Sequence, residues 1–231
     1  MAKPSKPFTV IFEDNHLLIV NKSPGVLVQG DATGDVPLVE LCKAYIKEKY
    51  QKPGEVFLGV VHRLDRPVSG VVVLARTSKA LERMNEMFRE KETNKTYWAI
   101  VKNKPPQPEG VLIHWLIKDE KKNKSTAFKK ETIGALRSEL SYKVIGTADG
   151  HWLLQVNPVT GRSHQIRVQL ASMGCVIKGD IKYGDDQANE DGSIYLHARR
   201  LSFIHPVRKE PVTFDAPVPS MGMWKYFAKF D

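Results

Sequence analysis

The 231 residues carry 35 Lys and Arg against 26 Asp and Glu, a formal charge of +9, and that excess favours polyanionic partners because each cation near a phosphate displaces a condensed counterion. With 42% hydrophobic and 26% charged side chains, the chain has the balance of a globular protein and not of a disordered or fibrous one. Cys42 and Cys175 are the only cysteines and form no Cys-x-x-Cys pair, the N-terminus lacks the apolar core of a signal peptide, and no apolar run is long enough to cross a bilayer; together these argue against a disulfide framework, a structural zinc site and a membrane span, and suit a reducing cytoplasm.

After a basic tail over residues 1–7, residues 8–12 and 17–21 read as short strands joined by a turn at Glu13-Asp14-Asn15. Lys22-Ser23-Pro24-Gly25 makes a second turn. Residues 38–50 carry a helical period that Gln51-Lys52-Pro53-Gly54 breaks. Residues 71–75 are uniformly apolar, as a strand buried on both faces would be. Ser78 then caps a helix to about Lys91, with Leu81, Met84, Met87 and Phe88 on one side and Glu82, Arg83, Glu86 and Arg89 on the other. The Met and Phe stripe reads as core.

A strand over 97–101 is closed by the proline-rich stretch 104–108, which a strand interior tolerates poorly. Residues 111–117 alternate as a strand and 118–124 follow as a charged turn. Residues 140–145 and 152–156 read as a hairpin through Asp149-Gly150, a helix over 164–173 ends at Gly174, and 195–203 form a last strand before a Pro-punctuated tail that packs across the surface. Strands and helices intermix without a βαβ rhythm. The fold class expected is α+β: a single domain over 8–231 with a mixed, largely antiparallel sheet flanked by helices.

Three segments place ionisable residues where strands meet turns. In Val61-His62-Arg63-Leu64-Asp65-Arg66-Pro67-Val68-Ser69-Gly70, Pro67 and Gly70 shape a loop that the following apolar strand would hold rigid. Taken alone, this reads first as a surface turn in which Asp65 pairs with Arg63 or Arg66. In Thr160-Gly161-Arg162-Ser163-His164-Gln165-Ile166-Arg167, the start of a helix gathers cations around backbone N–H groups that attract anions. Arg167 sits beside the core-facing Ile166 and therefore requires a carboxylate partner. In the third segment, Lys95-Thr96-Tyr97-Trp98, a strand tyrosine most often serves packing.

Together these segments resemble the RluA family of RNA pseudouridine synthases. His62-Arg63-Leu64-Asp65 with Ser69-Gly70 resembles that family's catalytic motif, and Gly161-Arg162-Ser163-His164-Gln165-Ile166-Arg167 its second signature. Gly179-Asp180-Ile181-Lys182-Tyr183-Gly184, Leu196-His197-Ala198-Arg199-Arg200-Leu201 and His205-Pro206 resemble later segments in the expected order, from about Phe12 to Pro217. The resemblance implies an isomerase that converts uridine to pseudouridine in a structured tRNA or rRNA stem-loop, without metal or small-molecule cofactor. Asp65 would be the nucleophile, attacking C6 of the base or C1′ of the sugar, and Arg167 would pair with it, since an adjacent guanidinium favours the ionised carboxylate. Tyr97 would lie against the flipped base and help remove its C5 proton. Arg63 would fill the space the nucleotide leaves, and Arg162, His164 and Gln165 would contact RNA. Val68 stands where many relatives carry Thr, and Gln169 where a His is frequent.

The chain begins directly with the strands of the catalytic domain, in the manner of family members without an N-terminal S4 domain, so affinity is expected from the domain itself. Lys118, Lys121, Lys122, Lys124, Lys129 and Lys130 around Phe128 form either a phosphate-binding arm or a solvated hairpin. A monomer is expected, as no surplus amphipathic helix is evident. Two competing readings are weaker. An RNA-binding module without catalysis has no use for an ion-paired Asp in a pocket, and His62, His164, His197 and His205 have no compact metal-site spacing. If the arm meets phosphates, replacing Lys121, Lys122 and Lys124 together with Ala should flatten the slope of log affinity against log salt by roughly 2–3. An unchanged slope in a filter-binding titration would leave the arm a solvated hairpin.

Overall fold

The computed structural model describes residues 6–230, so the first five residues of the expected basic tail lie outside the described residues. In chain order the elements are β1 (Phe8–Glu13), β2 (Leu17–Lys22), α1 (Leu38–Lys49), β3 (Gly59–Val60), β4 (Ser69–Ala75), α2 (Ser78–Arg89), β5 (Asn94–Val101) and β6 (Glu109–Asp119). They continue as β7 (Lys124–Phe128), β8 (Leu136–Ala148), β9 (His151–Pro158), α3 (Gln165–Ser172), β10 (Leu196–Ile204), β11 (Pro211–Asp215) and α4 (Trp224–Phe227). The chain divides into two units, one of Met1–Asn94 with Ala198–Pro217 and one of Lys95–His197 with Val218–Asp231.

In the first unit the sheet order is β1-β2-β4-β10, with β3 against β4 and β11 against β10. The hairpin β1/β2 closes because the Asp14 carboxylate accepts from the backbone N–H groups of His16 and Leu17, an Asx turn of the kind that acidic side chains favour. β4 is buried at every position, as its uniformly apolar sequence implies, and pairs antiparallel with β2 from Leu17↔Ala75 to Lys22↔Gly70. The cap of α2 is Thr77, one residue before the expected Ser78. Thr77 has extended backbone and its side chain accepts from Ala80 N at 3.2 Å, whereas Ser78 is already helical. Ala80, Met84 and Met87 pack on Leu17, Ile19, Val71 and Val73, flanked by Leu81 and Phe88. The Met and Phe stripe is core.

The second unit orders β5-β9-β8-β6-β7, each neighbouring pair antiparallel. β8 and β9 meet at Asp149-Gly150, both at positive φ (50° and 69°), and Gly174 at φ 82° follows α3. The segment expected as a charged turn is a hairpin: β7 pairs β6 from Trp115↔Phe128 to Asp119↔Lys124. Only Glu120–Asn123 turn, and the Asp119 carboxylate accepts from Lys122 N at 3.0 Å. The lysines masked the alternation of the short second strand.

The tail also departs from expectation. Instead of only crossing the surface, it forms β11, which pairs antiparallel with β10, and α4, whose Trp224 and Phe227 are buried with Trp98, Ile100 and Leu153. Phe214 and Ala216 between the prolines, and Trp224 and Phe227 after the last of them, draw it inward. The α+β class with a largely antiparallel sheet holds.

Gly70, where the Asp65 loop becomes β4, has φ +121°, and a Cβ there would lie 2.3 Å from the Ala198 carbonyl oxygen. Backbone strain and overlap act together at this point. Gly70→Ala should cost roughly 2–5 kcal/mol, read as a lower urea midpoint; a midpoint equal to that of the unmodified protein would show that β4 and β10 yield there.

Candidate active site

Asp65 belongs to the first unit, on a turn held from several sides. Val68 N donates to the Asp65 carbonyl at 3.0 Å, and Leu64 and Val68 are buried beneath the turn. The neighbouring Arg66 reaches away: its Nε donates to the Gly25 carbonyl at 3.0 Å and a terminal nitrogen lies 2.6 Å from Asp35, while Gly25 N donates to the Arg66 carbonyl at 2.8 Å. Arg66 is therefore paired with Asp35. His62 is also committed, with Nε2 accepting from Val73 N at 3.1 Å and the ring stacked on Phe88 at 4.9 Å. Arg63 projects to solvent and Asp65 itself is half-buried.

Sequence reasoning missed the residue that fastens this turn. Lys22 reads as part of a surface turn, yet it ends β2 and is fully buried. Its Nζ donates to the carbonyls of Val26 at 2.8 Å, Ser23 at 3.0 Å and Arg66 at 3.3 Å, which ties the turn after β2 to the residue following Asp65. Burial pushes the Lys22 ammonium down to about 7, against the opposing field of the Asp65 carboxylate. A lysine beside a Ser-Pro-Gly turn was the available signal; two of its partners are local, but the Arg66 carbonyl that ties it to the Asp65 turn lies too far along the chain for a local pattern to reveal.

In the second unit, the signature before α3 divides into exposed and buried residues. Gly161, Arg162 and Ser163 are exposed, while His164, Gln165 and Arg167 are buried. Gln165, expected to contact RNA, makes internal bonds from both ends of its amide: Oε1 accepts from Thr160 Oγ1 at 2.8 Å and Arg162 N at 3.0 Å, and Nε2 donates to the Glu139 carbonyl at 3.0 Å. It shapes the turn. His164 takes a left-handed conformation, φ 53°, and its Nδ1 meets the Tyr183 hydroxyl at 2.8 Å. Gln169, in the position where a His is frequent, is fully buried; its Nε2 donates to the Leu112 carbonyl and approaches His114 Nδ1, both at 3.1 Å.

Arg167 has a buried partner that the sequence placed in a motif but did not pair with it. Nε donates to Asp180 Oδ2 at 2.7 Å and Nη2 to Asp180 Oδ1 at 2.8 Å, with the Arg167 side chain 6% exposed and that of Asp180 1%. Such a two-pronged pair satisfies the guanidinium geometrically and offsets the cost of burying it. The guanidinium also lies 5.1 Å from the centroid of the Tyr183 ring. Tyr97 is half-buried on β5, opposite Val156. Two residues earlier on the same face, Lys95 has its ammonium pKa lowered by burial. Lys121, Lys122 and Lys124 are exposed around the β6–β7 turn.

A model of the RNA pseudouridylate synthase family matches residues 16–172. The ribosomal large subunit pseudouridine synthase C of Vibrio vulnificus is 32% identical over 215 residues, covering 90% of this chain and 65% of that protein. The mitochondrial pseudouridylate synthase RPUSD4 of Xenopus tropicalis is 30% identical over 249 residues, covering 91% and 76%. Among solved structures, human RNA Pseudouridylate Synthase Domain Containing 4 shares the fold, with TM-score 0.75 at 24% identity over 91% of this chain and 88% of that one. The chain thus spans about 65% of the length of the Vibrio relative.

The Lys22 ammonium titrates at about 7 when folded and near the ordinary lysine value, about 10.4, when unfolded. Between those values the unfolded state binds more protons, so this residue makes stability rise with pH across that window. Lys22→Met should remove that rise from urea midpoints measured between pH 7 and 10. Equal slopes in the two proteins would show that Lys22 keeps an ordinary affinity for its proton.

Proposed function

Because the chain belongs to the RNA pseudouridylate synthase family, we propose that it isomerises specific uridines to pseudouridine in structured RNA, with Asp65 as nucleophile. The observation that carries this reading is the Asp65 turn itself. The Lys22 ammonium fixes the carbonyl next to Asp65, and β4, buried throughout, anchors the other end, so the carboxylate is pre-positioned on a rigid element.

In the reaction proposed, the carboxylate bonds to C6 of the base or to C1′ of the sugar, the N1–C1′ bond breaks, and a C5–C1′ bond forms after the base turns; the bond to Asp65 breaks as C5 displaces it from C1′, or as loss of the C5 proton expels it from C6. The C5 proton then leaves and N1 gains one, so no atom is gained or lost overall. Tyr97 takes the face of the base and assists at C5. Arg167 supplies the counter-charge for Asp65. Its Nε and Nη2 are held by Asp180. Arg63, exposed on the same turn, enters the stack where the uridine has left, because the base must leave a stem before the carboxylate can reach it. Arg162 at the mouth of α3 and Lys121, Lys122 and Lys124 on the β6–β7 arm take backbone phosphates; His164 orients that region from below.

Ribosomal RNA is the substrate class favoured, since the Vibrio relative is named for the large ribosomal subunit; tRNA is the other outcome. No helix among the described residues is long and apolar enough to cross a membrane. The two buried cysteines are free, with burial pushing the Cys42 thiol up to about 12; a reducing cytoplasm and a monomer acting without cofactor complete the reading.

Asp65→Asn should leave the melting temperature within a few degrees of the unmodified protein and abolish pseudouridine formation. Pseudouridine mapping of total RNA from cells carrying the gene, lacking it, or carrying Asp65→Asn reads both activity and site. Marks that persist with Asp65→Asn would exclude Asp65 as nucleophile, and maps identical in all three would exclude the activity.

A further inference from the structure

Tyr183 joins three parts of the second unit that are far apart in sequence. Its ring lies 5.1 Å from the Arg167 guanidinium and 5.4 Å from Lys124 Nζ. Its hydroxyl oxygen accepts from Ser125 N, on β7, at 2.8 Å and meets His164 Nδ1 at 2.8 Å. The hydroxyl thus bridges the arm and the residue that precedes α3. Two further bonds close the junction: Ser125 Oγ donates to the Ser163 carbonyl at 2.7 Å, and Lys182 Nζ donates to the Asn123 carbonyl in the arm's turn at 3.0 Å.

A hairpin that only displayed lysines would not need this. Ser125 is buried within an otherwise exposed stretch of lysines, and every polar atom it turns inward goes to a segment flanking Arg167. The tyrosine that receives it also supports the Arg167 guanidinium, while Asp180, three residues earlier, holds that guanidinium by two bonds. Displacement of the arm therefore displaces the ring against which Arg167 rests.

We propose that Tyr183 is a positioning residue that couples RNA contact on the β6–β7 arm to the orientation of Arg167, so that the arm governs the rate of the chemical step as well as affinity. The proposal rests on the reading of Arg167 and the arm given under Proposed function. It assigns the segment Gly179-Asp180-Ile181-Lys182-Tyr183-Gly184 a task in sensing substrate, carried by Tyr183 through its hydroxyl and by Lys182 through its ammonium.

The test is a double-mutant cycle on the full chain, with single-turnover rates at saturating RNA and dissociation constants measured separately. The arm variant replaces Lys121 and Lys122 with Ala, and the junction variant is Tyr183→Phe, which keeps the ring and cuts both hydroxyl bonds. In the unmodified background the arm variant should weaken binding and also slow the saturated rate by about tenfold. In the Tyr183→Phe background the same arm change should weaken binding to the same degree yet alter the saturated rate less than twofold. Rate effects that multiply independently would overturn the coupling, as would an arm variant that weakens binding without slowing the saturated rate. If Tyr183→Phe does not fold, Lys182→Ala loosens the same junction from a more accessible side chain and completes the cycle under the same criteria. Absence of pseudouridine formation by the unmodified protein would instead count against the function, and an arm variant with unchanged affinity against the arm as an RNA contact, so each failure is distinguishable.

Discussion

The guanidinium of Arg167 and the carboxylate of Asp180 are both removed from water, and much of the second unit serves to keep that pair satisfied. Separating one partner would leave an uncompensated charge in a medium that solvates it poorly, a cost of roughly 3–5 kcal/mol. The surrounding groups keep the two in register. Gly179 N donates to the Asp185 carboxylate, which fixes the loop from which Asp180 reaches, and Lys178 lies 3.4 Å from that carboxylate. On the other side, Gln165 pins the turn before α3 to β8 through the Glu139 carbonyl. The ion pair thus fixes the orientation of the Arg167 guanidinium.

The first unit solves the same problem with one cation and neutral acceptors. Lys22 meets three carbonyl oxygens instead of a carboxylate. Carbonyl dipoles compensate a charge less fully than an anion does, consistent with a buried ammonium that gives up its proton easily. Arginine would not serve here, because its planar fork does not fit three acceptors gathered about a point.

Strands with a strong apolar signal were legible: β4 from its unbroken apolar run, β2 and β9 from β-branched and aromatic composition, α2 from its Met and Phe stripe. The elements that escaped were short or flanked by contrary signals, such as β7 among lysines and α4 just after two prolines and a glycine. The candidate site was legible as motifs but not as partnerships. Asp65, Tyr97 and Arg167 stood out only through resemblance to a family, since a turn aspartate and a strand tyrosine carry no local mark. Asp180, Lys22 and Tyr183 were overlooked as partners because each acts through groups 13 to 58 positions away, and local periodicity is silent at that range. Gln165 shows a related limit: a polar side chain at a helix start is as able to tie the backbone, as it does here, as to greet a ligand.

The order in which the chain supplies its two units has a consequence for synthesis. The core of the first unit includes Leu201, Phe203, Phe214 and Ala216 alongside Leu17, Val73 and Met84, yet those four residues follow the whole stretch Lys95–His197 of the second unit. A ribosome adding about 5–20 residues per second therefore delivers the Asp65 loop and β4 about 6–30 s before the strands that complete their core. During that interval β4, apolar on both faces, has one side without its final neighbour. The nascent protein is exposed to mispairing for that time, and the demand on holding chaperones falls on the early half of the chain, whatever stability the finished molecule attains.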